Sequence, residues 1–203
     1  MKRHWVHIIF MSSALLLCNS AKAQMPDVAF HTNTLYDAFV IPNLGIDIDL
    51  GNRWTAGVNW HHAWWTDKLF YWKQTYGGDI HVDRHLDSEN VESPFEGHRL
   101  GAYGQLLTYD FEFQADGQMA DKPNFALGIE YGYSFPLSRK LYMDFSLGVG
   151  YLWGKYKKYT PMWNDYPPEW HYVWQSTHRR NMFCVTKVEI SLVWYLKKKG
   201  GQK

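Results

Sequence analysis

From residue 141 to 153 the apolar and polar positions alternate. Leu141, Met143, Phe145, Leu147, Val149, Tyr151 and Trp153 share one face, against Tyr142, Asp144, Ser146, Gly148, Gly150 and Leu152 on the other. Side chains along a strand point to opposite faces with period two, so this reads as a strand with one apolar face and one polar, glycine-rich face. Residues 124–136 repeat the pattern, with Phe125, Leu127, Ile129, Tyr131, Tyr133 and Phe135 opposite Ala126, Gly128, Glu130, Gly132 and Ser134. Six further segments complete a set of eight predicted strands: 30–40, 44–50, 53–65, 71–84, 99–111 and a final one carrying Val188, Ile190, Leu192, Trp194 and Leu196 outward. In the first of these, Leu35, Tyr36 and Phe39 do not share a parity, which leaves its facing open. Gly51-Asn52 is a two-residue hairpin signal. Residues 66–70, 85–97, 112–123 and 154–180 read as loops, and 197–203 as a basic, flexible tail.

A soluble sandwich would bury its apolar faces behind a second sheet, and those faces would seldom carry so many aromatics. An eight-stranded antiparallel up-and-down transmembrane β-barrel, with lipid outside and polar groups inside, suits the pattern better. Strands of about 10 residues are long enough to cross when tilted. With both termini on the periplasmic side, the turns at 51–52 and 138–139 fall inside and the connections near Thr66, Gln114 and Tyr159 outside. The stretch 85–97 breaks that asymmetry, being long for a periplasmic turn.

The N-terminus supports export. Lys2, Arg3 and His4 precede a short apolar run, 8–18, and Ala21-Lys22-Ala23 offers a cleavage site. Residues 1–23 are therefore expected to be a signal peptide and 24–203 one barrel domain. Leu17 before Cys18, where lipoprotein processing wants a small residue, argues against lipidation. Aromatics make up 18% of the chain, and Tyr and Trp favour membrane interfaces. A net charge of +1 supplies no field for nucleic acid. After signal removal only Cys184 remains, excluding an intrachain disulfide and a cysteine metal site. Its parity with Val188 predicts that it faces lipid.

Several strings carry a family resemblance: Thr32-Asn33-Thr34-Leu35-Tyr36-Asp37-Ala38, Pro42-Asn43-Leu44-Gly45, Gly57-Val58-Asn59-Trp60, Ala63-Trp64-Trp65, Tyr76-Gly77-Gly78-Asp79 and Gly101-Ala102-Tyr103-Gly104-Gln105. Leu107-Thr108-Tyr109-Asp110-Phe111-Glu112-Phe113, Gly128-Ile129-Glu130-Tyr131-Gly132-Tyr133-Ser134 and Lys187-Val188-Glu189-Ile190-Ser191-Leu192-Val193-Trp194 extend it over nearly the whole mature chain. In this order they resemble the exported barrel family catalogued as domain of unknown function 3575. The resemblance implies a Gram-negative outer-membrane barrel, sometimes encoded beside fimbrial or other surface-assembly components. It implies no activity, no catalytic residues and no cofactor.

The inward phase is rich in charge: Asp47, Asp49, Lys73, Asp79, His81, Asp83, Arg99, Glu130, Asp144, Lys187 and Glu189. The alternating Asp79, His81 and Asp83 could present a metal face. An ion-pair network filling a narrow barrel is the simpler expectation, because eight strands enclose little more than their own side chains. His61-His62 raises an alternative, a lipid-modifying enzyme at the barrel rim, but no Gly-x-Ser-x-Gly element accompanies it. A soluble lipocalin-like periplasmic barrel would need the apolar face inside. The segment 154–174 gathers Tyr159, Trp163, Tyr166 and Trp170 with Lys157 and Lys158, side chains suited to stacking on sugars, pairing with lipid phosphates or anchoring a protein. The expected role is structural or interactive: a surface anchor, adhesion element or assembly partner. The partners expected are outer-membrane lipids, the barrel-insertion machinery during biogenesis, and a surface protein or glycan at the loops.

Overall fold

The computed structural model describes residues 27–64, 72–86, 94–113, 116–165 and 168–196. The expected signal peptide and basic tail, the connection 66–70 and the stretch 87–93 lie outside the described residues.

The described chain is almost entirely antiparallel strand. The elements are β1 (Val28–Asn33), α1 (Thr34–Ala38), β2 (Asn43–Gly51), β3 (Trp54–Trp64), β4 (Trp72–His85), β5 (Gly97–Phe113), β6 (Asp116–Ala120), β7 (Asn124–Ser138), β8 (Leu141–Asp165) and β9 (Pro168–Leu196). Strands consecutive in sequence pair with one another except β6 and β7, and β1 pairs with β9, which closes a ring. Following partners round the wall from Phe30 through Ile46, Val58, Ile80, Gly104, Leu127 and Tyr151 arrives at Phe183, whereas Phe30 itself pairs with Trp194. That offset along β9 is the stagger that tilted strands require for closure.

Nine strands are found among the described residues, not the eight expected. The additional one, β6, lies in the stretch 112–123 read as a loop. It pairs with β5 and β8, as β7 does below it, so β6 and β7 occupy one position of an eight-position ring. Pro123 interrupts the run between them, since proline cannot donate to a ladder.

The first strand is also shorter than expected. It ends at Asn33, whose side chain caps α1 by accepting from the Leu35 N–H at 3.0 Å. The helical turn explains why Leu35, Tyr36 and Phe39 share no strand parity. Val40 then takes a φ of 57°, with its N–H donating to the Asp37 carbonyl and that of Ile41 to the Tyr36 carbonyl. A β-branched residue enters this left-handed region only under constraint.

The largest departure is the predicted loop 154–180. It is no loop: β8 and β9 run on beyond the ring as one hairpin, paired from Lys155↔Arg179 up to Asp165↔Pro168. The other end of the ring, near both ends of the described chain, carries short turns at 51–53 and 139–140. Beside them Phe95, from the β4–β5 connection, is buried against Ala29, Tyr142, Val193 and Tyr195, its ring 5.6 Å from that of Tyr195.

Candidate functional site

The wall is inverted relative to a soluble barrel. Ile80 (67% exposed), Leu127 (64%) and Ile129 (59%) face outward, while Glu130 (1%) and Lys187 (4%) are buried inside. Burying charges is costly unless they are paired, and here they are. The Lys187 ammonium donates to Asp79 at 2.9 Å and to Glu130 at 3.2 Å, and lies 3.6 Å from Glu189. Arg99 makes two bonds to Asp144 and reaches Asp83 at 3.3 Å. The two ring nitrogens of His81 sit 2.9 Å from Asp47 and 3.1 Å from Asp79.

Nine of the eleven inward residues read from the sequence thus meet in one network. Asp49 does not join it; it accepts from the Gly51 N–H at 2.9 Å and shapes the hairpin turn. Lys73 lies in β4, and its side chain is outside what is described. The sequence reading missed the connecting groups. Asn59 bridges Asp79 (3.1 Å) and Glu189 (3.2 Å), and its carbonyl oxygen lies 2.6 Å from His31. Asn59 already stood in the inward phase of its strand, which was the available signal.

The glycines of the inward face make room for long side chains from nearby strands. A Cβ on Gly148 would stand 2.7 Å from the Tyr103 ring, and one on Gly132 would stand 2.5 Å from the Arg99 guanidinium. Tyr103 lies over that space and bonds Thr186. Thr186 is the extra residue of a β-bulge, where Gly148 and Val149 pair with Lys187 and Val185. The bulge reverses the parity of the residues before it in β9, back to a second register shift at Gln175. Cys184 therefore pairs with Gly150 on the inward phase and does not share the outward phase of Val188. Its expected lipid facing is corrected accordingly.

The network leaves little free space. Cavities of about 40 Å³ and about 20 Å³ remain among its side chains, and among the described residues no cluster of His, Cys, Asp and Glu stands in metal-binding geometry. The Asp79, His81 and Asp83 trio is engaged in ion pairs. His61 is buried with its ring 4.8 Å from that of Tyr36, and its Nε2 has no hydrogen-bond partner among the described residues. No hydroxyl or thiol engages that nitrogen, as a base-activated nucleophile would.

The second candidate is the hairpin. Its register places Tyr159 opposite Trp174, Pro161 opposite Tyr172 and Trp163 opposite Trp170. Trp163 (50%), Tyr172 (50%) and Trp174 (62%) are exposed. Tyr159 is not part of that exposed surface. It is buried, packs over Gly117, and donates to the Asp110 carboxylate. Burial, with Asp110 next, pushes its hydroxyl pKa well above the usual tyrosine value. Lys157 pairs with Asp121 at 2.7 Å and lowers that carboxyl, while Lys158 is exposed. Tyr166 and the side chain of Trp170 lie outside the described residues.

Among known proteins, the model of a family described as protein of unknown function (DUF3575) matches residues 8–196. No curated protein and no solved structure matches the chain.

Proposed function

Taking as premise that the chain belongs to the DUF3575 family, we propose that it is an outer-membrane β-barrel that holds the β8–β9 hairpin out from the cell as an interaction element. The observation that carries the membrane reading is the inverted wall. Aliphatic and aromatic side chains face outward round the ring, and the charges are sealed inside. In water such a surface would aggregate; against lipid it is the stable arrangement. No helix of the described residues is long and apolar enough to cross a membrane; in this reading strands make the crossing, their backbone groups satisfied by antiparallel pairing.

The packed interior makes the barrel an anchor rather than a pore. The hairpin is where interaction belongs. A bare two-stranded ribbon is marginal in water, and beyond Tyr159 this one has no strand on either edge among the described residues. It also presents the exposed aromatics Trp163, Tyr172 and Trp174. Such an element is completed by a partner that covers the aromatics or adds a strand to an edge, as a component of a surface or fimbria-associated assembly would.

The test is an in-cell photo-crosslink from a reactive amino acid replacing Trp163, with fractionation of the same cells. The expected result is outer-membrane recovery and a discrete protein adduct. Recovery in the aqueous periplasmic fraction would overturn the membrane reading. Adducts to lipid alone would overturn the interaction role.

A further inference from the structure

The ring is incomplete in its hairpin half. The last rung between β1 and β9 joins Asn33 to Ser191, and β2 begins only at Asn43, opposite His61. Just beyond that rung the Thr34 hydroxyl donates to the Ile190 carbonyl at 2.7 Å. From there to the tip, no strand pairs with this edge of β9 among the described residues. The five-residue α1 crosses the gap where the upper halves of two strands would otherwise stand.

Behind the gap lies a cavity of about 460 Å³, within the range of about 300–1,000 Å³ common for small-molecule sites. Leu35 and Phe39 of the α1 segment line one side, and inward-phase Leu107, Tyr109 and Phe111 of β5 the other. The lining also includes Val188, whose register partner Leu147 lies on the outward wall. The cavity therefore opens sideways onto the apolar exterior. Arg180 lines it as well, one rung beyond the Trp153↔Asn181 pair. Its guanidinium donates to the Tyr109 hydroxyl at 3.2 Å and stacks 4.5 Å over the Tyr156 ring. The next rung, Lys155↔Arg179, places two exposed cations on the outward phase.

We propose that this cavity takes one acyl chain of an anionic membrane lipid, admitted sideways through the gap between α1 and β9, with the lipid phosphate against Arg180. The proposal rests on the membrane reading given above. An unpaired strand edge at hydrocarbon depth is tolerated only where it borders a cavity or a polar group. A lipid supplies what each part of this site lacks: hydrocarbon for Leu107, Phe111 and Phe39, ester oxygens within reach of the edge N–H groups, and a phosphate for the spare donors of the arginine fork.

The experiment uses the full mature chain in vesicles of phosphatidylethanolamine and phosphatidylglycerol, with a diazirine at the end of one phosphatidylglycerol acyl chain. After irradiation, adducts are placed by fragmentation mass spectrometry. The expected pattern is outer-wall adducts at Leu127 and Leu147 together with interior adducts at Leu107, Tyr109 or Phe111. Filling the cavity with Leu107→Trp should remove the interior adducts and leave the outer-wall ones, which also report that the variant has folded. Arg180→Gln should lower interior labelling about fivefold, the worth of one accessible ion pair, and should not change labelling by a diacylglycerol probe, which has no phosphate. Outer-wall adducts without interior ones would overturn the lipid site while the membrane reading stood. Absence of both would overturn the membrane reading itself. Loss of the interior adducts to excess free myristate would assign the cavity to a fatty acid and overturn the membrane-lipid source.

Discussion

Lys187 on β9 and Asp79 on β4 stand on opposite walls of the ring, and their ammonium–carboxylate contact of 2.9 Å spans the barrel interior. The same ammonium holds Glu130 from a third direction, so one cation ties together walls that share no backbone hydrogen bond. Lys187→Met should therefore leave three carboxylates at the centre without their common partner. The expected cost is about 3–5 kcal/mol, as for breaking a buried pair from one side. Unfolding in urea, followed by the loss of the heat-modifiable band on gels, measures it; a midpoint equal to the parent's would remove the network from the account of stability.

Ile129 sits in the outward phase of β7 and is 59% exposed. If the wall faces lipid, Ile129→Arg should cost about 2–4 kcal/mol near the midplane and lower the yield of inserted barrel. A protein that faced water would tolerate the change at almost no cost. The ratio of folded to unfolded protein recovered from vesicles separates the two.

Gly148 leaves the space that the Tyr103 ring fills. Gly148→Val places two methyl groups against that ring and the Lys187 stem, and overpacking of this kind costs about 1–3 kcal/mol. Combining it with Tyr103→Ala should recover part of the loss, because the second change empties the contested volume. Additive losses in the double variant would show that the two positions do not compete.

Tyr159 ties the base of the hairpin to β5 through its bond to Asp110. A hydrogen bond to a charged acceptor is worth about 1.5–3 kcal/mol, and Tyr159→Phe should loosen the hairpin by that order, read as faster proteolysis between β8 and β9. Burial and the neighbouring Asp110 carboxylate hold the hydroxyl pKa above the usual tyrosine value. The folded state therefore holds this proton more tightly than the unfolded one. The stability it contributes is complete below about pH 10 and declines as the pH rises towards the folded value. Hairpin protection should fall above pH 10 in the parent and change little in Tyr159→Phe.

Much of the wall was legible because period-two alternation is a local property. The segments around Phe125 and Leu141 read the same in the sequence as in the register, and the inward charges follow from the same parity. The places where the reading failed each depend on something distant. Cys184 changes face because a bulge at Thr186 inserts one residue between it and Val188, a step set by pairing with Gly148 and Val149 and by the bond from Tyr103 on another strand. Asp49 carries the same parity as Asp47, yet the turn beside it claims its carboxylate.

Segments rich in lysine, proline and aromatics carry no strong strand signal, and 154–180 was accordingly read as a loop. What holds it extended is the cross-strand pairing of two segments that are each other's only long neighbour. The alternation of side chains by itself determined that this chain builds a wall with an apolar outside and a charged inside, since facing follows from the backbone pleat. Only the tertiary structure decided which charges meet, where the ring is left open beside α1, and how far β8 and β9 run on past it. Those outcomes depend on stagger, bulges and contacts across the barrel, which bring together residues that no local pattern relates.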